Sequence, residues 1–181
     1  MDFKELIEKY YSENIKARRV LIDHGRVVAK KALEIARRSE HLSPDKKFIE
    51  EASFLHDIGI FMVNAPDIGC YGEKPYICHG FLGKGILEKE GFVRHAMVCE
   101  RHIGVGITAK EIEKKELPLP KRDMVPLSVE EEIVCLADKF FSKNNPLREK
   151  SLSEIKEECL EHGKEKVEVL EKWVKKYGIN N

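Results

Sequence analysis

The chain of 181 residues lacks several features that would assign it at once to a common functional class. No apolar run approaches the length of a membrane span, and the first residues carry no apolar secretion core, so we expect a cytoplasmic protein. The five cysteines include no Cys-x-x-Cys pair, which argues against a disulfide framework and a cysteine-based zinc site. Glutamine is absent and charged residues reach 35%, a composition that suits a heat-adapted protein without establishing one.

An excess of charge of either sign is also missing. Lysine and arginine total 32, as do aspartate and glutamate. The net charge of zero gives no general attraction to nucleic acid or to an anionic membrane, so we expect neither as a partner. A small charged substrate remains compatible with this balance, because one pocket can be cationic while the whole chain is neutral.

Hydrophobic residues recur at helical spacing almost throughout, and no segment shows convincing period-two alternation, which predicts an all-α fold. Ser43 followed by Pro44 predicts the start of the third helix, and Ser128 with Glu131 predicts a capping box before the seventh. The predicted helices are 2–11, 16–38, 44–63, 76–90, 92–102, 108–116, 129–141 and 153–177.

Several polar side chains occupy positions where these helices should be buried. His56 and Asp57 stand inside the apolar segment Phe54-Leu55-His56-Asp57-Ile58-Gly59-Ile60-Phe61-Met62. Burying an unpaired charge is costly, so each such group needs a partner. The misplaced residues, each on or at the end of a predicted helix, are His24, His56, Asp57, His79, His102 and Asp138.

These four imidazoles and two carboxylates predict a metal centre. Shared between two divalent ions with one bridging carboxylate, they give about three protein ligands per ion and leave positions open for water and substrate. The mixture of nitrogen and oxygen ligands suits iron or manganese first, with cobalt, nickel or zinc as alternatives, and suits magnesium or calcium less well.

The ordered set, with separations of 32, 22, 23 and 36 residues and the sub-motif His56-Asp57-Ile58-Gly59, resembles the HD-domain superfamily of metal-dependent phosphohydrolases in its six-ligand, dinuclear form. The resemblance covers about residues 20–142. It implies a single HD domain over 1–181, a helical bundle with the C-terminal helix at about 153–177 packed on the motif-bearing core.

The resemblance also implies a role for each residue. One ion would be held by His24, His56 and Asp138, the other by His79 and His102, and Asp57 would bridge the two as the catalytic carboxylate. A hydroxide held between the ions would attack phosphorus, so no serine or cysteine nucleophile is needed. The general acid stays open between Lys139 and Lys84.

The substrate is less defined than the metal ligands. Cyclic-dinucleotide phosphodiesterases of this superfamily carry a lysine shortly after His-Asp and a Gly-Tyr-Pro signature, whereas here Ile60 follows Gly59 and no Gly-Tyr-Pro occurs. The chain is more similar to small stand-alone members, including diadenosine tetraphosphate hydrolases, which implies a nucleotide or another small phosphorylated metabolite. Lys121 and Arg122 are candidate substrate contacts because they could bring cations to a phosphate.

Two other functions share the same ligand set. Mixed-valent di-iron oxygenases of the superfamily use six such ligands, and a non-catalytic metal or ligand sensor could keep the pocket. The remaining histidines have plainer expectations: His95 packs or supports the metal ligands from behind, while His41 and His162 lie at the surface. The sequence leaves a homo-oligomer open.

Overall fold

A computed structural model describes residues 2–179, which form a bundle of α-helices. The all-α prediction is confirmed, with one small addition: the two-residue strands β1 (Asn64–Ala65) and β2 (Cys70–Tyr71) pair antiparallel. The helices are α1 (Phe3–Tyr11), α2 (Ile15–Arg38), α3 (Lys46–Leu55), α4 (His79–Lys89), α5 (Val93–Arg101), α6 (Ala109–Lys114), α7 (Val129–Lys139), α8 (Leu152–His162) and α9 (Lys164–Lys176). Among these helices none is both long and apolar enough to cross a bilayer.

The long helix α2 is the centre of the bundle and packs against both α3 and α7. Its apolar residues return to one face, and Leu21, Val28, Ala32 and Ile35 on that face are buried. His24 lies on the same buried face. The face therefore has one polar position within an otherwise apolar stripe.

The hydrophobic core consists of separate clusters, and the stripe of α2 crosses between the two largest. Val28 belongs to a cluster shared with α3, α7 and the C-terminal helices, whereas Leu21 belongs to one shared with α1 and the end of α3. His24 lies between Leu21 and Val28 in the sequence of α2. A polar side chain at that position sits along the boundary of the two clusters.

The third helix differs from the prediction at both ends. It begins after Asp45, whose side chain accepts a hydrogen bond from the backbone N–H of Phe48, while Ser43 adopts a left-handed conformation with φ of 50°. It ends at Leu55 rather than near Val63. The buried segment continues past this end as a turn, so hydrophobicity alone could not locate the boundary.

Gly59 allows the turn after α3 to pack closely against the start of α4. A Cβ atom added to Gly59 would lie 2.2 Å from the carbonyl oxygen of His79, much closer than any real contact. Only glycine lets the chain after α3 approach the start of α4 so closely. This approach brings Asp57 and His79 to the same place.

Two further predictions need correction. The predicted last helix is two helices, because Gly163, with φ of 138°, separates α8 from α9. Ser128 caps α7 as predicted, but the Glu131 carboxylate accepts from the backbone N–H of Leu127 and pairs with Arg101 instead of completing a capping box. The apolar stripe is continuous across Gly163, which is why spacing did not reveal the break.

Candidate metal centre

Five elements of the fold deliver the six polar residues to one place. His24 lies within α2, His56 and Asp57 follow α3, His79 begins α4, His102 follows α5, and Asp138 lies near the end of α7. All of these residues except His24 lie at or near a helix end, where backbone groups remain free for side-chain hydrogen bonds. Five of the six residues are at most 3% exposed, and the Asp138 side chain is 12% exposed.

Asp57 is the centre of the group, and its two oxygen atoms face opposite sides. Oδ2 lies 3.0 Å from Nε2 of His56 and 3.5 Å from Nε2 of His24. Oδ1 lies 3.2 Å from Nε2 of His79 and 3.4 Å from Nε2 of His102. One carboxylate thus stands between two pairs of imidazole nitrogens, the arrangement that a bridging ligand needs.

Asp138 completes the side occupied by His24 and His56. Its Oδ1 lies 2.8 Å from Nε2 of His24 and 3.4 Å from Nε2 of His56, and these three residues could hold an ion together. Protein ligands bound about 2.0–2.2 Å from one ion lie roughly 3 to 3.5 Å from each other. The observed separations match that requirement.

Three of the four histidines are oriented by a backbone carbonyl three residues earlier. Nδ1 lies 2.7 Å from the Ser53 oxygen in His56, 2.7 Å from the Tyr76 oxygen in His79 and 2.8 Å from the Cys99 oxygen in His102. A carbonyl oxygen only accepts, so each Nδ1 must carry the hydrogen. When such a ring is neutral, its Nε2 presents a lone pair to the centre, as in metal-ligating histidines.

The converging lone pairs need a cation between them. Nε2 of His79 and Nε2 of His102 are 3.1 Å apart, although both rings donate from Nδ1. Within residues 2–179, the buried side-chain atoms without a hydrogen-bond partner include Nε2 of His56 and Oδ1 of Asp57. Such atoms are costly unless a proton or metal ion satisfies them, so the residues fit a metal centre.

His24 differs from the other three because it lies inside a helix. Its Nδ1 has no hydrogen-bond partner among the described residues, whereas its Nε2 faces Asp138. In the interior of α2 the preceding carbonyls are engaged in the helix. His24 is therefore oriented by packing and by Asp138.

Lys143 is the functional candidate that the sequence did not reveal. Its Nζ lies 2.7 Å from Oδ2 of Asp57 and 5.6 Å from the centre of the Tyr76 ring, and its side chain is only 14% exposed. It stands in the segment after α7, which has no helical periodicity. The only available signal was a position five residues after Asp138.

The charges of the cluster shift its pKa values in opposite directions. Burial opposes a proton on His56, but the Asp57 and Asp138 carboxylates outweigh burial and raise the pKa of His56 to about 10. Burial lowers the pKa of His102 to about 4. Burial also opposes charge on Asp57, yet His56 and Lys143 hold the pKa of this carboxyl well below its usual range.

A cavity of about 410 Å³ gives access to the cluster, and we call it the first cavity. His79, His102 and Asp138 line its floor. Its walls carry three lysines, which suit an anionic ligand: Lys139, Lys143 and Lys150. The first cavity therefore places three cationic side chains beside three of the metal-ligand candidates.

Other predicted site residues lie away from this cavity. Arg122 donates to Oε1 of the buried Glu100, and Lys121 faces Glu113 at 3.8 Å, so neither lines the first cavity. Their role as substrate contacts stays a prediction from the sequence, and the geometry offers Lys143 instead. Lys84 pairs with Glu88 at 2.6 Å on the surface of α4 and also lies outside the lining, whereas Lys139 belongs to it.

The three remaining histidines lie outside the cluster. His95 lies 3.2 Å from Glu51 and packs edge-on against Phe48, with no contact to the metal ligands among its described partners. His41 and His162 are exposed. Both outcomes agree with the plain interpretations of these residues.

Comparison with known proteins adds a family to this geometry. The model of the HD domain family matches residues 21–142, which include all six residues of the cluster. An uncharacterised protein of Methanocaldococcus jannaschii is 32% identical over 147 residues, which cover 78% of this chain and 76% of that protein. No solved structure matches the chain significantly.

Two further relatives are named tRNA (cytidine(56)-2'-O)-methyltransferase. The one from Thermoplasma volcanium is 31% identical over 85% of this chain and 41% of its own length. The one from Picrophilus torridus is 33% identical over 74% of this chain and 35% of its own length. The matched part is thus less than half of each methyltransferase.

Proposed function

The chain belongs to the HD domain family of metal-dependent phosphohydrolases, and from that premise we propose that it hydrolyses a phosphoester or phosphoanhydride bond of a nucleotide or other small phosphorylated metabolite. One observation carries the proposal. The imidazole Nε2 atoms and the two Asp57 oxygens converge at 3.0–3.5 Å, and Oδ1 of Asp57 lacks a hydrogen-bond partner within the described chain. Such a donor set is suited to divalent ions beside an open cavity.

The two sides of Asp57 suggest how the ligands divide. His24, His56 and Asp138 would hold one ion, His79 and His102 the other, and Asp57 would join them. When bound, the two ions, iron or manganese first and cobalt, nickel or zinc as alternatives, would supply an activated water and neutralise charge on the phosphoryl oxygens.

The chain's own residues account for substrate orientation. Lys143 and Lys139 line the first cavity on the side of Asp138, where their ammonium groups can meet phosphoryl oxygens. In hydrolysis, the oxygen of water bonds to phosphorus, the bond from phosphorus to the leaving oxygen breaks, and that oxygen takes a proton. Lys139 and Lys143 are the lysines adjoining the cluster that could deliver this proton.

The relatives support the nucleotide class of substrate to a limited extent. Two of them are named for a reaction on a cytidine of tRNA, but this chain matches only 41% and 35% of their lengths. Methyl transfer is therefore not carried over. Nucleoside monophosphates and 2′,3′-cyclic nucleotides belong in a substrate panel for this reason.

The proposal is tested by metal analysis of the purified protein and by phosphate-release assays with manganese, iron, cobalt, nickel and magnesium. We expect bound transition metal and turnover of at least one nucleotide, both lost in His56→Ala and retained in His41→Ala. Oxygen consumption with a di-iron spectroscopic signal would favour the oxygenase. Bound metal without turnover of any phosphoester would favour the sensor, and either result would overturn the proposal.

A further inference from the structure

A second cavity of about 350 Å³ lies directly beside the first, and we call it the second cavity. The two cavities share three lining residues: Ile103, Gly104 and Lys139. Lys150 lines the first cavity and Glu158 lines the second. Nζ of Lys150 lies 2.7 Å from Oε1 of Glu158, so this ion pair joins the two linings. The second cavity therefore adjoins the first at these residues.

The walls of the second cavity are mainly apolar. They come from the segment before α4, the loop after α5, the residues after α6 and the helix α8: Ile77, Val105, Ile107, Leu117 and Cys159. A cavity of this size is within the range of small-molecule sites, about 300–1,000 Å³. Apolar walls favour an uncharged group that gains from leaving water.

Apart from Lys139, which also lines the first cavity, the charged groups in the walls of the second cavity have partners. Nζ of Lys166 donates to Glu111 at 2.6 Å and to the Gly106 oxygen at 2.7 Å. Glu158 is held by Lys150, and Nζ of Lys115 lies 3.4 Å from the His162 oxygen. The charges of Lys166, Glu158 and Glu111 are therefore balanced within the protein and do not call for a charged ligand.

One of the three residues shared by the two cavities is a glycine, Gly104. Gly104 has φ of 65°, and a Cβ atom added there would meet no atom within 4 Å. The space beside Gly104 is thus open. Because Gly104 lines both cavities, its missing side chain leaves room where they adjoin.

We propose that the second cavity is the subsite for the organic part of the substrate, and that it takes an uncharged aromatic ring such as a nucleobase while the phosphoryl group lies at Asp57. The inference rests on the proposed function, because the phosphoryl position is taken from it. It narrows the substrate class to phosphoesters that carry a ring.

Part of the lining of the second cavity comes from the C-terminal helices, which lie outside the family match that contains the metal cluster. Cys159 and His162 on α8 and Lys166 on α9 line the second cavity, and all three lie beyond the residues 21–142 that match the family. The metal cluster belongs to the part shared with the family. The organic group is recognised in part by helices outside that match.

The test fills the second cavity and leaves the first unchanged. Cys159→Phe places a ring in the cavity, while Leu160→Phe is the matched control, since Leu160 is the next residue on α8, is 54% exposed and lies outside the lining. The Michaelis constants of three esters are compared: adenosine monophosphate, 1-naphthyl phosphate and methyl phosphate. In Cys159→Phe we expect the constant for a ring-bearing ester to rise at least about tenfold, with methyl phosphate within about twofold.

The outcomes separate the subsite from the hydrolase. If Cys159→Phe changes none of the three esters, or changes all three equally, the subsite is wrong although the hydrolase stands. If the wild type hydrolyses no ester, the proposed function has failed, and calorimetric binding of adenosine monophosphate still tests the cavity: weaker binding in Cys159→Phe than in Leu160→Phe supports it, and equal binding overturns it.

A second pair of variants covers failure of the first to fold. Leu117→Trp fills the second cavity from the opposite wall, and Leu127→Trp is its control because Leu127 is 73% exposed and outside the lining. The same discrimination between ring-bearing esters and methyl phosphate is expected. Equal Michaelis constants in this pair would again contradict the subsite.

Discussion

The two adjacent cavities differ in how their charges are satisfied. Beneath the first, Oδ1 of Asp57 and Nε2 of His56 lack hydrogen-bond partners within the described residues, although Oδ2 of Asp57 faces Lys143 at 2.7 Å. In the second, Lys166 and Glu158 are each held by an opposite charge within 2.7 Å. Because a buried polar atom without a partner is costly, the residues beneath the first cavity favour bound cations, whereas the second cavity favours an apolar group.

This difference divides recognition from chemistry. The ionisable groups around Asp57 can bind metal and phosphate, but they provide little apolar surface for an organic group to pack against. The apolar walls of the second cavity can select a ring, while none of the six metal-ligand candidates belongs to its lining. Variants in the two cavities should therefore change different measured quantities.

The largest effect is expected from Asp57→Asn, because Asp57 is the one carboxylate that faces both pairs of histidines. The amide is neutral and presents only one oxygen, so we expect the bound metal to be lost and turnover to fall at least about 100-fold, more than for a change behind the ligands. Metal analysis and steady-state kinetics measure both effects.

Asp67→Asn is the matched control, since Asp67 lines the first cavity but lies outside the cluster. It should keep its metal. Equal loss of metal in the two variants would mean that the first cavity binds cations through general negative charge, and the contrast with the second cavity would disappear.

The next effect concerns phosphate recognition by Lys143. Lys143→Met keeps the length of the side chain and removes its charge, and a hydrogen bond to a charged group contributes about 1.5–3 kcal/mol. We expect the Michaelis constant of a phosphoester to rise roughly 10- to 100-fold. Lys84→Met is the control, because Lys84 pairs with Glu88 outside the first cavity. Similar constants for the two variants would exclude a phosphate contact by Lys143.

A smaller effect is expected from pH on metal binding. Burial opposes the proton on His56, but Asp57 and Asp138 raise its pKa to about 10, so the metal-free ring is protonated below that pH. Burial lowers the pKa of His24 and lowers that of His102 to about 4, so protons compete less for these two rings than for His56. A metal ion must displace the His56 proton, so its affinity should rise with pH by up to about tenfold per unit below pH 10.

Calorimetric titration with Mn²⁺ at pH 7, 8 and 9 measures this dependence. His56→Asn is the comparison, because its side chain carries no titrating proton. Its affinity should be weaker and should change less with pH. An affinity of the wild-type protein that is constant over this range would show that His56 is already neutral.

The sequence was sufficient to predict the helices and the six polar residues, because burial leaves a periodic signal. His24 interrupts an apolar stripe, and His56 with Asp57 interrupts an apolar run. The structure brings all six within one cluster. Their roles as ligands of two ions belong to the proposed function.

Other features could not be predicted because they depend on contacts distant in the chain. The end of α3 at Leu55 follows from the approach of Gly59 to His79, and spacing within the segment does not record that approach. Lys143 reaches Asp57 from a segment without periodicity. Lys121 and Arg122 were chosen for charge alone, and charge does not determine which wall a loop faces.

The smallest expected effect on function comes from changing the packing of α4, the helix that carries His79. Two glycines of this helix, Gly83 and Gly85, can be compared directly. A Cβ atom at Gly83 would lie 2.5 Å from the Cys99 sulfur, whereas one at Gly85 would meet no atom within 4 Å. Gly83→Ala should therefore reduce the free energy of unfolding by about 1–3 kcal/mol through overpacking. Gly85→Ala should increase it by up to about 1 kcal/mol through helix propensity.

Thermal unfolding of both variants, with and without Mn²⁺, measures these changes. If α4 is the rigid wall that holds His79 3.2 Å from Asp57, then Gly83→Ala also weakens metal binding, while Gly85→Ala leaves it unchanged. Equal shifts of the unfolding temperature in the two variants would show that α4 moves freely against α5. In that case close packing at Gly83 would not be what positions the metal ligands, and the first cavity would owe its geometry to the bound ions themselves.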